Sequence, residues 1–401
     1  LGVLAALPPL SIDISLPGLP AIAKELGASD VMMQATLGGF MLAFALGQLF
    51  WGPLSDRYGR RPVILAGLFI YAASAIGCVV ASSVSALVTL RVLQGFGACA
   101  ATVAGNALVR DLFVQSERRA MVQSVVTAVM SLAPIFAPLI GAGLIVMVGW
   151  RGVFLLLAIA GLMLSMAVLI MLSQKRLQGS AAASAAQQVA SHSMGSAVWR
   201  DYRAFLRIPA SIPLALVVGL TFCGQFAFIS GSPFVLINAL HVSSTAYAVV
   251  FSVASAAALI GAVVTAHSAR RGVTVTLILR IASRGLGVAG VLSIAVGLLI
   301  SAVPSGTFWP VLMFAGAMAI FSFFAGMLTP TVYTLGLEHA GDMAGVGAAV
   351  LGATMMTGGA FGSTAEGAIP LSSYLSIGVL ALFSGVSAAI VAAMALRMQR
   401  Q

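Results

Sequence analysis

The chain of 401 residues is 60% hydrophobic and 7% charged, with a mean hydropathy of +1.09. Soluble globular domains carry about 25% charged residues, so a water-soluble fold is excluded and an integral membrane protein is indicated. The 20 Lys and Arg against 10 Asp and Glu give +10, which in a soluble chain would point to nucleic acid; here the excess reads as the basic bias of cytoplasmic loops, and no nucleic-acid partner is expected.

A membrane-spanning helix needs about 20 mostly apolar residues. Cut at charges, Gly/Pro clusters and polar turns, the sequence predicts twelve spans, at 1–24, 30–52, 62–81, 84–110, 119–148, 151–173, 209–238, 244–268, 275–303, 308–337, 343–368 and 371–396. The first starts at Leu1 rather than Met, which places the natural N-terminus upstream. It lacks a basic n-region and a small-residue cleavage site, so it reads as a spanning helix and not a signal peptide. Asp30, after Ser29, is expected to cap the second span.

Between spans two and three lies the charged stretch Gly52 to Pro62. Gly52 and Pro53 are expected to end one helix, Gly59 to reverse the backbone, and Pro62 to sit in the first turn of the next helix, where its missing N–H costs nothing. Arg57, Arg60 and Arg61 mark the cytoplasmic side. Asp56 is expected to pair with Arg110 or with Arg118 and Arg119 of the next cytoplasmic loop and so latch that side shut.

Six spans lie on each side of a linker, giving an N-terminal bundle at 1–173, a cytoplasmic linker at 174–208 and a C-terminal bundle at 209–401. The linker is rich in Ala, Ser and Gln, then basic, with a predicted surface-lying amphipathic helix around Val198 to Leu206. With both termini inside, all but three of the 20 basic residues fall on the cytoplasmic side, the exceptions being Lys24, Arg91 and Arg151. The loop His267 to Gly272 repeats the Arg pair and the Gly of the first charged stretch without its Asp. Such duplication points to a transporter of two bundles with a site near the midplane between them.

Ionisable residues inside spans are functional candidates by default. Asp13 in span one and Arg91 in span four are predicted at similar depth, where each feels the other. Desolvation and a nearby guanidinium act on a carboxylate in opposite senses. A carboxylate so poised takes a proton from one side and releases it on the other as the bundles rock, which is the minimum machinery of proton-coupled antiport. Gln94 is expected to hydrogen-bond near the pair. The bland alternative makes Asp13 a cap on a helix broken by Pro8, Pro9 and Pro17. Glu366, near the outer end of span eleven, is ambiguous between these roles.

A candidate cavity follows from aromatic and polar residues at helical spacing: Phe40 and Phe44 on span two, and Phe222, Gln225, Phe226 and Ser230 on span seven, where Pro233 should kink the helix. That mixture suits a largely apolar, drug-sized ligand. Small residues on span five (Pro134, Pro138, Gly141, Gly143) and span eleven (Gly345, Gly352, Gly359, Gly362) are expected to bring these equivalent helices close together in a sliding seam. Cys78, Cys99 and Cys223 have no metal-type spacing and read as free buried thiols. No hydrolase or metal motif is present, so neither an enzyme nor a cofactor is expected, and a proton gradient is the energy source.

These residues carry a resemblance. Gly52 to Arg61 resembles the loop signature of the major facilitator superfamily, with the pattern intact. Leu90 to Gly95 resembles that family's helix-four motif, whose Arg is associated with proton transfer. Ser131 to Gly143 looks like a degenerate helix-five antiporter motif, with Ala137-Pro138 and Gly141-Ala142 where Gly-Pro and paired Gly are usual. Ser11 to Pro20 and Ile229 to Phe234 resemble the Bcr/CflA group of twelve-helix drug:proton antiporters. The resemblance implies an all-α membrane protein of two six-helix bundles, monomeric, in the bacterial inner membrane, exporting small uncharged drugs. It implies proton coupling at Asp13 and Arg91. A metabolite exporter of the same fold is the nearest alternative, and a non-transporting sensor the next.

Overall fold

A computed structural model describes residues 2–113, 115–172, 194–302, 308–338, 340, 343–369 and 373–398. Regular structure among them is helical throughout. The first half comprises α1 (Gly2–Asp13), α2 (Leu19–Leu26), α3 (Asp30–Tyr58), α4 (Arg60–Val80), α5 (Val84–Leu112), α6 (Ser116–Val148) and α7 (Trp150–Met171). After the linker helix α8 (Met194–Leu206) come α9 (Ser211–Pro233), α10 (Ser244–Arg270), α11 (Val275–Ala302), α12 (Trp309–Glu338), α13 (Ala344–Ala368) and α14 (Ser373–Met398). Twelve segments among the described residues are long and apolar enough to cross a membrane, in the predicted order. The predicted linker helix is present as α8, where Phe205 is fully buried. Most of the linker lies outside the described residues.

Two boundaries differ from expectation, each for a backbone reason. α3 does not stop at Gly52 and Pro53 but runs through Pro53 to Tyr58. The reversal falls at Gly59, whose φ of +90° is one that a side chain disfavours. Nor is the first span continuous. α1 passes through Pro8 and Pro9 but ends at Asp13, and a 3₁₀ turn over Leu16–Gly18 leads into α2. Pro17 and Pro20 sit at the first positions of the 3₁₀ turn and of α2, where a missing N–H is tolerated, and so mark the two restarts of the span. Span seven changes its winding near its end: α9 passes at Pro233 directly into a π-helical stretch, Phe234–Ala239. The N-terminal cap of α3 is Ser29, which accepts from the Met32 N–H at 3.4 Å, rather than Asp30.

The bundles meet along two seams, and neither is the predicted one. α13 packs on α3, and α6 packs on α10. Each small-residue helix therefore lies against the second span of the opposite bundle, and the two seams are counterparts of one another. Along the first seam a Cβ added to Gly367, Gly359 or Gly352 would lie within 2.3 Å of the side chains of Gln34, Met41 and Gln48 respectively. In the second, the Ser252 hydroxyl donates to the Ile135 carbonyl at 2.6 Å. Other α13 glycines serve their own bundle: a methyl at Gly362 would stand 1.9 Å from the Cys223 carbonyl oxygen of α9. Overpacking of this kind costs about 1–3 kcal/mol. Gly362→Ala should therefore lower the thermal midpoint in detergent. A thiol-reactive dye would report this as earlier exposure of Cys78, Cys99 and Cys223, all free and buried.

Candidate functional site

The two irregular spans face each other where the bundles join. The 3₁₀ turn of span one packs on α6, α9 and α10, and the Ser244 hydroxyl of α10 donates to the Pro17 carbonyl at 3.5 Å. Gly141 of α6 lies under the break, where an added Cβ would be 2.0 Å from the Ile14 carbonyl oxygen. Irregular helices at the interface of two repeats are a backbone arrangement from which transporter sites are built.

Asp13 is the last residue of α1 and is 4% exposed. It makes no ion pair and no hydrogen bond among the described residues. Tyr247 of α10, in the opposite bundle, lies within electrostatic reach of it, and the Tyr247 hydroxyl is 3.2 Å from that of Ser232, beside the change of winding in span seven. The acid thus sits where the two irregular stretches meet.

Arg91 is 1% exposed and makes no ion pair with Asp13. Its Nη1 donates to Gln94 Oε1 at 2.7 Å. The guanidinium lies 4.6 Å from the ring centroid of Phe40 and 5.9 Å from that of Phe154. Between arginine and acid stands Tyr71. It is within electrostatic reach of Arg91, and its hydroxyl is 2.6 Å from that of Ser11, two residues before Asp13. Tyr71 and Ser11 thus form a polar connection from the surroundings of Arg91 to α1. Neither residue was singled out by the sequence; a hydroxyl-bearing ring inside the apolar run of span three was the available signal.

The predicted cavity residues divide. Phe222 and Phe226 stand with ring centroids 5.9 Å apart, and Gln225 Nε2 donates to the Ser322 hydroxyl at 3.0 Å. Phe226 reaches the inter-bundle seam, since it and Met41 crowd the same point at Gly359. Phe40 is fully buried as the platform of Arg91, and Phe44 is buried to much the same degree as Phe226. Ser230 is fully buried and gives its hydroxyl to the Phe226 carbonyl at 2.7 Å. Its polarity is spent within its own helix.

Orphaned polar atoms locate the remaining capacity. Five buried side-chain atoms among the described residues lack a hydrogen-bond partner: Arg91 Nη2, Gln94 Nε2, Gln225 Oε1, Gln34 Oε1 and Arg61 Nε. Buried polar groups in folded proteins are nearly always satisfied, so each exception asks for an explanation. Four of these five, all but Gln34, lie on residues picked from the sequence as site candidates.

The charged stretch forms a knot inside the first bundle. Arg60 pairs with Asp56 one turn away, with Asp111 at 2.9 Å and with the Ser55 hydroxyl at 2.7 Å. Asp56 therefore does not pair with Arg118 or Arg119, which are exposed; the side chain of Arg110 lies outside the described residues. The Gly59 reversal sets the first residue of α4 against the last turn of α3, which brings Arg60 to Asp56. Arg61 donates to the Leu169 carbonyl at 3.1 Å, and the Arg57 guanidinium lies 5.4 Å from the Tyr58 ring. At the opposite end Arg151 pairs with Glu25, whose other oxygen accepts from Trp150 Nε1 at 2.7 Å.

Comparison with known proteins agrees with this architecture. The family model described as Major Facilitator Superfamily matches residues 1–363. An uncharacterized MFS-type transporter, YdgK, from Bacillus subtilis is 31% identical over 88% of this chain and 83% of its own. A bicyclomycin resistance protein homolog from Haemophilus influenzae is 40% identical over 41% of each chain. Multidrug resistance protein D from Escherichia coli is 35% identical over 41% of this chain and 42% of its own. Among solved structures, the nucleoside transporter NupG superposes with a TM-score of 0.73 at 11% identity, covering 98% of each chain. A D-xylose-proton symporter does so with a TM-score of 0.70 at 14% identity, covering 99% of this chain and 97% of its own. The chain therefore belongs to the Major Facilitator Superfamily, and it is a multi-pass membrane transporter rather than an enzyme.

Proposed function

We propose that the protein exports small, largely uncharged drugs from the cytoplasm in exchange for protons, by alternating access across the bacterial inner membrane. The observation that carries this reading is Asp13: a buried carboxylate without an ion-pair or hydrogen-bond partner among the described residues, at the break of span one, facing Tyr247 of the other bundle. Buried charge without a partner is costly, so the group changes protonation when rocking of the bundles changes its access to water. Uptake occurs from one side and release to the other, with Arg91 acting through Tyr71 and Ser11. The orphaned oxygen of Gln225, on the same helix as the Phe222 and Phe226 rings, and the orphaned atoms of Arg91 and Gln94 in the other bundle suit an apolar ligand with a few polar atoms.

The names of the bicyclomycin and multidrug resistance relatives support the drug class. The basic end, with the knot around Arg60, is assigned to the cytoplasm along with both termini, and the working unit is a monomer. In this arrangement the bundles close the outer end, where Gln34 meets Glu366 and Ser244 meets Pro17.

The test is growth of a pump-deficient bacterium expressing the chain across an antibiotic panel, with and without an uncoupler. Protection against several uncharged drugs, abolished by the uncoupler, is the expected result. Uniform sensitivity despite good expression would sink the reading.

A further inference from the structure

A second membrane-embedded carboxylate, Glu366, lies outside the machinery described so far. It is 2% exposed, near the C-terminal end of α13. Gln34 of α3, in the opposite bundle, donates its Nε2–H to Glu366 Oε2. The contact is enclosed on every side. The Ser363 hydroxyl donates to the Gln34 backbone carbonyl at 3.2 Å. A Cβ on Gly367 would meet Gln34 Oε1 at 2.2 Å, and one on Gly231, just before Pro233, would meet the Glu366 carboxyl carbon at 2.8 Å. Both glycines are needed for the amide and the carboxyl to meet.

The hydrogen-bond inventory fixes what this pair lacks. Gln34 Oε1 is buried and has no donor. An ionised carboxylate only accepts, whereas a protonated one carries an O–H. A neutral Glu366 would complete a two-bond ring with Gln34: amide N–H to the carboxyl oxygen, and carboxyl O–H to Gln34 Oε1. The groups facing Glu366 leave its charge uncompensated. α3 brings Gln34 and Asp30, the latter of like sign; α14 brings Ser376; α9 brings the backbone at Gly231. No cation acts on it among the described residues.

We infer that Glu366 and Gln34 form a proton-dependent gate at the outer end, which closes when Glu366 takes a proton from the outside water and opens when it returns that proton to the same water. The proton enters and leaves on one side, so the gate adds nothing to the number transported. Closure binds one proton more than the open state, so the closed-to-open ratio rises as outside pH falls, by up to about tenfold per pH unit. The inference rests on the alternating-access reading and not on Asp13 as the coupling group.

The test reads gate distance rather than transport. Spin labels at Lys24→Cys and Asn238→Cys, exposed positions on the two bundles at this end, report closure in nanodiscs between pH 5 and 8. Working in the Asp13→Asn background removes any contribution from that acid. There the closed population should grow with falling pH, and adding Glu366→Gln should hold the gate closed at every pH, because a glutamine amide keeps both bonds of the ring. Gln34→Leu reads the same contact from the other bundle and should depopulate the closed state throughout. An unchanged pH response after Glu366→Gln, no pH response before it, or wild-type closure in Gln34→Leu would each overturn the gate. Since no drug is present, failure of the exchange reading leaves this result standing, and the reverse also holds.

Discussion

Asp13→Asn is expected to abolish drug-driven proton movement, to the background of protein-free vesicles. Purified protein in liposomes under a pH gradient, with a pH dye inside, makes the measurement. The substitution is nearly isosteric, and the acid has no ion-pair or hydrogen-bond partner among the described residues, so folding and insertion should be preserved. What is lost is the ability to carry a proton at the break between α1 and the 3₁₀ turn. Downhill drug equilibration without a gradient should persist, because the ring pair of Phe222 and Phe226 and the amide of Gln225 are untouched. Wild-type exchange in this variant would remove Asp13 from the mechanism and with it the proposed coupling.

Arg91→Lys is the second large effect. A lysine keeps the charge but loses the planar fork that bonds Gln94 Oε1 while lying over Phe40. A hydrogen bond to a charged group is worth about 1.5–3 kcal/mol, so exchange should fall by about 10- to 100-fold with the chain still folded. Tyr71→Phe separates two explanations. If Arg91 acts on α1 through the Tyr71 and Ser11 hydroxyls, this variant should reproduce most of the defect while leaving Arg91 bonded to Gln94. Full exchange in Tyr71→Phe alongside a defect in Arg91→Lys would mean that the arginine reaches the acid directly in another conformation.

The spans and their order were legible because twelve apolar runs separated by charge admit few other readings, and the intact Gly52 to Arg61 pattern made the family legible too. What composition could not show was partner choice. Asp56 had several basic residues within plausible reach, and only geometry shows that Arg60 takes it together with Asp111. Asp13 and Arg91 were found by their charge, yet the tyrosine between them is an ordinary residue in an apolar run. The small-residue stripes on α6 and α13 were correctly read as close-packing faces. A stripe does not name its partner, and each chose the second span of the opposite bundle. Glu366 was visible as a carboxylate; its meaning depended on Gln34, 332 residues away in the chain.

The Glu25–Arg151 contact has a consequence for biogenesis. Glu25 ends the first span, and its partner opens the sixth, 126 residues later. During synthesis the proline-rich first helix, with its break and its lone acid, is made long before the residue that pins its outer end. Trp150, Arg151 and the backbone carbonyls of Val79 and Ala81 that Arg151 also engages complete that clasp only once the sixth span has crossed. A nascent chain arrested before Trp150 should therefore hold its first helix loosely, and the clasp marks the point in translation at which the N-terminal bundle becomes a finished unit.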